Sequence, residues 1–217
     1  MPIIDLSHAI SPSMPAYPGT KPPKFTAACT IESYGFAEKH MSMSSHTGTH
    51  LDAPAHVIAG AKTLDQMAMD RFIGFACVLD LSSIRKQDLK ITDLEGSQKL
   101  IEASEFVLLH TGWSLFWGQE AYYQGYPVLS TEAAHWLSEF AIKGIGIDAI
   151  SIDEMGSTEL TIHRRFLERE IVIVENLTNL ERLPKRGFVF SCFPLKIEHA
   201  DGSPVRAIGI MDSLYSM

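Results

Sequence analysis

Residues 46–56 read HTGTHLDAPAH, which places four candidate metal ligands within a short stretch: His46, His50, Asp52 and His56. Their spacings are all even, so a fully extended strand would turn the four side chains to one face. Extension alone cannot bring them to one ion, because four residues of strand span about 13 Å, whereas ligands about 2.1 Å from a metal lie close together. Gly48 permits a curl, and Pro54 prevents a long helix from following. The run therefore predicts a strand that enters a tight turn, with its ligands converging inside.

Two residues of the second half can extend this ligand set. Glu175 directly follows the apolar run 171–174, and a carboxylate at the end of a buried strand is costly unless an arginine or a metal binds it. His163 lies in the first turn of a predicted helix, beside two arginines, where a solvated side chain is the alternative. Histidine and carboxylate together suit zinc, manganese or iron(II). Both residues together would suffice for a two-metal site in which Asp52 bridges.

The composition predicts one soluble domain spanning residues 1–217. Of the 217 residues, 46% are hydrophobic and 20% charged, which is ordinary for a globular chain. The formal charge of −8 repels phosphate, so we expect no nucleic-acid partner. We also expect no signal peptide and no membrane association, since no apolar stretch approaches about 20 residues. Three cysteines without a CxxC motif suit free thiols in a reducing cytoplasm.

Hydrophobic periodicity predicts an α/β fold of the mixed α+β kind, with strands prevailing in the first half. The predicted strands are 24–32, 40–46, 75–81, 106–110, 144–152, 171–174, 187–197 and 205–211. The predicted helices are 92–103, 130–142 and 161–169. Thr92 and Glu95 would form a capping box, and Ser130 would cap the second helix.

Two further features lie outside these elements. Five prolines in residues 11–23 exclude a helix and predict an extended loop, which either connects elements or borders a binding site. Asp148 and Asp153 flank the buried strand signal at 144–152, and either could pair with Arg206.

The run from His46 to His56 closely resembles the HxGTHxDxPxH signature of the cyclase-like metal hydrolases, which include bacterial kynurenine formamidase (arylformamidase) and isatin hydrolase. The resemblance covers nearly the whole chain, with supporting segments IDLS at 4–7, TGW at 111–113, GID at 146–148, ENLTNL at 175–180 and PVRAI at 204–208. It implies a swivelling β/β/α fold, a homodimer or homotetramer, and one or two divalent cations, zinc first and manganese as the alternative.

The resemblance also implies roles for individual residues. His46, His50 and Asp52 would bind the first metal, and Asp52 would bridge to a second metal bound by His163 and Glu175. His56 would stay free of metal as the general acid and base. The implied reaction is hydrolysis of a small-molecule amide, of the type that converts N-formylkynurenine to kynurenine and formate in tryptophan catabolism. A divalent metal suits that reaction because it lowers the pKa of bound water to about 7.

The chain departs from the formamidase pattern near the expected substrate pocket. Where formamidases carry Trp-Pro-Gly-Asp, this chain reads Tyr17-Pro18-Gly19-Thr20. Tyr17 could still stack on an aromatic substrate, but Thr20 replaces the aspartate. His110 stands where the family more often has a basic residue. These departures leave open a cyclic amide such as isatin, or another small amide or lactone.

A non-catalytic metal-binding protein is the alternative from another functional class. Structural zinc sites are usually closed and rich in cysteine, and the ligand cluster here contains none. The presence of His56 beyond the ligand set also favours an enzyme.

Overall fold

The chain folds around one mixed sheet of nine strands. The computed structural model describes residues 1–84 and 86–211. Within them the strands are β1 (Ile3–Asp5), β2 (Lys24–Cys29), β3 (Glu38–Ser42), β4 (His50–Asp52), β5 (Ile73–Asp80), β6 (Asp88–Leu89), β7 (Phe106–His110), β8 (Val128–Leu129), β9 (Gly144–Ile147), β10 (Val172–Glu175), β11 (Phe188–Ser191), β12 (Gly202–Pro204) and β13 (Ile208–Met211). The α-helices are α1 (Ile31–Tyr34), α2 (Ile91–Leu94), α3 (Gln98–Glu102), α4 (Thr131–Ser138) and α5 (Thr161–Leu167).

The strand order in the large sheet is β1-β13-β11-β5-β7-β9-β10-β4-β12. The four central strands, β5, β7, β9 and β10, are parallel to one another, and the other pairings within this sheet are antiparallel. Two smaller pairs, β2 with β3 and β6 with β8, stand apart from this sheet. The predicted mixed α+β fold is confirmed.

Both faces of the central strands are buried, which explains their continuous apolar sequences. Along β5, Cys77 and Leu79 pack in one core with α4 and α5, whereas Ala76 and Val78 pack in the core on the opposite face. Ser130 caps α4 as predicted, since its Oγ accepts the backbone N–H of Ala133 at 3.1 Å. No helix in the described ranges is long and apolar enough to cross a membrane.

The helix predicted at 92–103 is wrong as one continuous element. Two short helices, α2 and α3, are separated by a 3-10 turn at Glu95–Ser97. Thr92 does not cap α2, because the side chain of Asp93 accepts the backbone N–H of Lys90 at 2.7 Å. Gly96 and Ser97 are poor helix formers, which accounts for the interruption.

Several predicted strands are shorter than their apolar signals. The strand at 144–152 ends at Ile147, because the next residue, Asp148, is buried and accepts the backbone N–H groups of Thr111 and Gly112. The strand at 187–197 ends at Ser191, and the one at 205–211 begins only at Ile208. The predictions at 24–32 and 40–46 correspond to β2 and β3, a separate hairpin.

Sheet order determines which parts of the chain meet. Strand β4, which carries His50 and Asp52, lies between β10 and β12. In the β10–β4 register Glu175 is opposite His50, and in the β12–β4 register Gly202 is opposite Asp52. Three distant parts of the sequence therefore meet at one edge region of the sheet.

Candidate metal centre

The 46–56 run curls at Gly48, as its spacing requires. Gly48 has a φ of 66°, in the left-handed region that favours glycine. The chain then enters β4 at His50 and leaves it at Asp52, and a 3-10 turn at Pro54–His56 follows. His46 and His50 consequently lie edge to face, with ring centroids 5.1 Å apart.

Asp52 lies at the centre of the cluster and is fully buried. Its Oδ1 is 2.7 Å from His46 Nδ1 and 3.3 Å from His50 Nε2. Its Oδ2 accepts no hydrogen bond from the described residues, and His163 Nε2 lies 3.6 Å away. A buried carboxylate oxygen without a hydrogen-bond donor is costly. Each oxygen thus faces a different set of histidines, which is the arrangement expected of a bridging ligand.

Glu175 and His163 join this cluster, and among the described residues neither has the surroundings that its alternative to metal binding requires. Glu175 Oε1 accepts the backbone N–H of Ile152 at 2.8 Å and lies 3.2 Å from His163 Nε2. Its Oε2 is 3.5 Å from His50 Nε2, and among the described residues no arginine pairs with it. His163 is buried on the inner face of α5 rather than solvated.

Three histidines of the cluster each have one nitrogen bonded outward and the other turned to the carboxylates. His50 Nδ1 donates to the Gly48 carbonyl at 2.8 Å, and His163 Nδ1 donates to Asp153 Oδ2 at 2.6 Å. His46 Nε2 donates to Asp201 Oδ2 at 3.1 Å. Such outward acceptors fix the tautomer of metal-binding histidines and orient their rings. The inward nitrogens are then free to bind a cation.

The electrostatics of the cluster agree with this arrangement. Burial lowers the pKa of His46, but the carboxylates of Asp52 and Asp201 outweigh it and raise the pKa to about 9. Burial disfavours the charged form of His163. Its hydrogen bonds to Asp153, Asp52 and Glu175 outweigh burial and raise the pKa of His163 well above its usual range. Burial disfavours the Asp52 carboxylate, yet His50 and His46 bring its pKa well below the usual range. These shifts favour the charged forms of His46 and His163 beside the buried carboxylates.

Two overlapping groups of side chains are compact enough to bind an ion. The ligand atoms of His50, Asp52 and Glu175 lie within 4.8 Å of one another, and so do those of His46, Asp52 and His56. The donor set and the unpaired Asp52 oxygen fit a divalent cation bound by histidine and carboxylate. His56 is within reach of an ion as well, so its metal-free role stays a prediction. The division of the ligands between two ions also stays a prediction.

A cavity of about 300 Å³ opens onto the cluster. Tyr17 and Thr20, from the proline-rich loop, line it together with His56, Ile150 and Leu160. The loop therefore borders the site rather than merely connecting elements. The Tyr17 hydroxyl accepts the backbone N–H of Gly156 at 3.0 Å, which links the loop to the segment before α5.

His110 was expected near the substrate pocket, and that expectation is wrong. Its Nδ1 lies 3.3 Å from Asp80, and it does not line this cavity. A wider groove of about 670 Å³ lies beside residues 153–159, but no histidine lines it. The chemistry is therefore concentrated in the smaller cavity.

Sequence reasoning missed Asp201, and it considered Asp153 only as a possible partner of Arg206, which is wrong. Arg206 pairs with Asp5 through two contacts of 2.8 and 2.7 Å, not with Asp148 or Asp153. Asp153 lies ten residues before His163, so a search for carboxylates near the ligand helix could have found it. Asp201 is 155 residues from His46, and only the β12–β4 pairing brings it near.

Comparisons with known proteins agree with this site. The family described as "Putative cyclase" matches residues 4–154. Kynurenine formamidase from Bacillus cytotoxicus is 32% identical over 206 residues, covering 94% of this chain and 95% of the relative. Isatin hydrolase A from Ralstonia solanacearum superimposes with a TM-score of 0.88 at 28% identity, covering 97% and 92% of the two chains. A structure described as a potential metal-dependent hydrolase with cyclase activity has a TM-score of 0.80 at 26% identity, covering 98% of each chain.

The fold, the buried histidine and carboxylate cluster and these relatives define an amide-cleaving hydrolase with a divalent-metal site. Within that class, the chain belongs to the cyclase family. The expectation of an enzyme is confirmed, and the non-catalytic alternative is set aside.

Proposed function

We propose that the chain hydrolyses the carbon–nitrogen bond of a small aryl amide, as an arylformamidase does, with zinc bound by His46, His50, Asp52, His163 and Glu175. The observation that carries this proposal is the buried Oδ2 of Asp52, which accepts no hydrogen bond from the described residues and lies 3.6 Å from His163 Nε2. Manganese is the alternative ion, since the same donors suit both metals. A second cation would share Asp52 with the first.

When bound, the divalent cation lowers the pKa of water to about 7 and polarises the substrate carbonyl. The residues of the chain do the rest. His56 lies at the cavity wall, with its ring centroid 3.9 Å from that of His46. Burial lowers the pKa of His56, so the ring is neutral near pH 7 and can accept a proton. It would then deliver that proton to the leaving nitrogen.

The apolar residues that line the cavity suit an aromatic ring. Pro15, Ala16, Tyr17, Ile150 and Leu160 provide apolar surface, which excludes water and orients a planar group. Tyr17 contributes an aromatic side chain to this lining, and its hydroxyl accepts the backbone N–H of Gly156. These walls support the aryl part of the proposed substrate.

A cyclic amide of the isatin type is the second candidate substrate, and the lining of the cavity favours it. No lysine or arginine is among the described residues that line the cavity, and Thr20 occupies the position of the formamidase aspartate. An amino-acid group on the substrate would therefore find no charged partner outside the metal ligands. Another small amide or a lactone would fit the same description.

The proposal includes a homodimer or homotetramer in the cytoplasm. The β2–β3 hairpin stands apart from the large sheet, and every residue of β3 is exposed. Tyr34, Phe36 and Met41 on this segment are each more than half exposed. An isolated two-stranded hairpin is marginally stable, and an exposed apolar patch is typical of an interface. Light scattering should give the mass of two or four chains, and the mass of one chain would contradict this.

The test of the reaction is a substrate panel with the metal-loaded chain. N-formylkynurenine, a simple formanilide, isatin and an aryl lactone are compared, and at least one amide should be hydrolysed. His56→Ala should lose about 10²–10⁴-fold in kcat with metal still bound. His135→Ala, which removes an exposed histidine from α4, should match the wild type. The proposal fails if no amide is cleaved, and the role of His56 fails if His56→Ala keeps full activity.

A further inference from the structure

We propose that Asp201 is a positioning residue for this site, orienting both the metal ligand His46 and the proton carrier His56 from outside the ligand set. This inference rests on the proposed function. Asp201 Oδ2 is 3.1 Å from His46 Nε2 and 3.8 Å from His56 Nδ1. One carboxylate oxygen thus lies beside two histidines whose rings are in contact, with centroids 3.9 Å apart.

The backbone around Asp201 is fixed on the ligand strand. The carbonyl of Asp201 accepts the backbone N–H of Ala53 at 2.9 Å. The next residue, Gly202, begins β12 and is paired with Asp52 of β4. These contacts set the distance from Asp201 to His46, so the side chain needs no loop movement to reach the ring.

Gly202 completes the same contact from the backbone side. A Cβ at Gly202 would lie 2.5 Å from His46 Cε1 and 2.8 Å from Nε2. The His46 ring therefore packs directly on the glycine, and Asp201 binds the edge of the ring beside it. Asp201 and Gly202 together fix the position of the His46 ring.

The direction of the hydrogen bond determines the role of Asp201. His46 turns Nε2 to Asp201 and Nδ1 to Asp52, at opposite edges of its ring. An acceptor at Nε2 places the proton there and leaves the Nδ1 lone pair for a cation. The oxygens of Asp201 are not among the ligand atoms that lie close enough together to bind an ion. Asp201 therefore acts from outside the ligand set.

The second contact concerns His56. The distance from His56 Nδ1 to Asp201 Oδ2 is 3.8 Å, which is too long for a direct hydrogen bond. The negative charge of the carboxylate still favours the ring orientation in which Nδ1 faces Asp201. The Asp201 side chain is 48% exposed, so water screens this interaction. We therefore expect Asp201 to matter more for ring orientation and metal affinity than for folding.

Two variants and a matched control test this role. Asp201→Ala removes the acceptor, and Asp201→Asn retains an oxygen that can accept from His46 Nε2. Glu198→Gln removes a carboxylate three residues away whose side chain is 86% exposed. Zinc affinity is measured by competition with a chelator, and kcat and KM are measured separately on zinc-saturated protein. Cobalt-loaded protein gives an absorption spectrum that reports the ligand geometry.

Asp201→Ala should weaken zinc binding by about 10–100-fold, the usual effect of losing such an outer acceptor. Its kcat at saturating zinc should also fall, with KM little changed, and its cobalt spectrum should shift. Asp201→Asn should recover part of the affinity, and Glu198→Gln should match the wild type. The Tm of the metal-free variants should stay within about 2–4 °C, because an exposed ion pair is worth at most about 1 kcal/mol.

These measurements distinguish a failure of the positioning role of Asp201 from a failure of the proposed hydrolytic function. If the wild type binds zinc and cleaves an amide while Asp201→Ala retains wild-type affinity, kcat and cobalt spectrum, the positioning role is wrong. An equal loss in Glu198→Gln would also overturn it, because the effect would then be one of net charge. A wild-type chain that binds zinc without cleaving any amide removes the proposed function but leaves the affinity prediction for Asp201 intact. A wild-type chain that binds no divalent cation overturns both.

Discussion

Replacing Asp153 with asparagine should separate metal binding from helix stability. Asp153 is buried, and its carboxylate accepts three N–H groups at the start of α5. Oδ1 accepts the backbone N–H of Ile162 at 3.0 Å, and Oδ2 accepts the backbone N–H of His163 at 2.9 Å and its Nδ1–H at 2.6 Å. The first backbone N–H groups of a helix have no partner within the helix. One side chain thus stabilises the helix end and orients His163, a proposed metal ligand.

The magnitudes follow from these three hydrogen bonds. In Asp153→Asn one oxygen still accepts, but the amide nitrogen must face a second donor, which leaves at least one buried N–H unpaired. An unpaired buried donor costs about 1–3 kcal/mol in the free energy of unfolding. Asp153→Ala loses all three bonds and should cost about 3–5 kcal/mol, the usual range for breaking a buried charged pair. Asp153→Ala releases His163, so its zinc affinity should fall about 10–100-fold. Asp153→Asn replaces the carboxylate by a weaker acceptor, so its affinity should fall by less.

Urea unfolding of the metal-free chain and chelator competition measure the two effects separately. Glu154→Gln is the control, since the exposed Glu154 carboxylate accepts a hydrogen bond from Gln87 at 3.3 Å and its loss should leave both values unchanged. The reasoning is refuted if Asp153→Asn binds as much zinc as the wild type with equal affinity. It is also refuted if both Asp153 variants unfold at the wild-type urea concentration.

Three further predictions concern the neighbouring groups. Gly202→Ala should displace His46 and weaken zinc binding by about 10-fold or more, since the new Cβ would lie 2.5 Å from the ring. The control is Gly96→Ala, whose Cβ would meet nothing within 4 Å and which should leave the zinc affinity measured by chelator competition unchanged. Zinc uptake at pH 7 should release about two protons, because the carboxylates outweigh burial and raise the pKa of His46 to about 9 and that of His163 above its usual range. Calorimetry in buffers of different ionisation enthalpy should record this release and an affinity that increases with pH, and a release of none would contradict the protonated rings. Thr20→Asp should raise the ratio of kcat/KM for N-formylkynurenine to kcat/KM for formanilide by about 2–5-fold, the value of an exposed ion pair with the substrate amine. The same ratio in the variant and the wild type would show that residue 20 does not contact the substrate amine.

Local spacing predicted the ligand run because its geometry is short-range. The curl at Gly48 and the convergence of His46, His50 and Asp52 need only a few consecutive residues. Glu175 was predictable because a carboxylate at the end of an apolar strand needs a partner. The division of residues 92–103 into two helices was not, because it depends on Asp93 rather than Thr92 bonding the preceding backbone.

Of the two outer acceptors, Asp153 could have been found by a local search near His163, whereas Asp201 could not. Asp201 reaches His46 only because β12 pairs with β4, and sheet order is a long-range property. Asp153 lies close to His163 in sequence, but the extended strand expected up to residue 152 gave no reason for the chain to turn back. The departures at Tyr17 and Thr20 lie in the cavity as expected, and they bear on the substrate rather than on the ligands.

The central claim is that the buried cluster performs hydrolysis with a divalent cation. The most direct measurement is elemental analysis of the purified chain combined with amide hydrolysis before chelation, after chelation and after zinc or manganese is restored. The account predicts bound divalent metal, loss of activity in step with its removal, and recovery on its return, with no recovery in His50→Ala. Full hydrolytic activity in a chain proven free of metal would contradict the account.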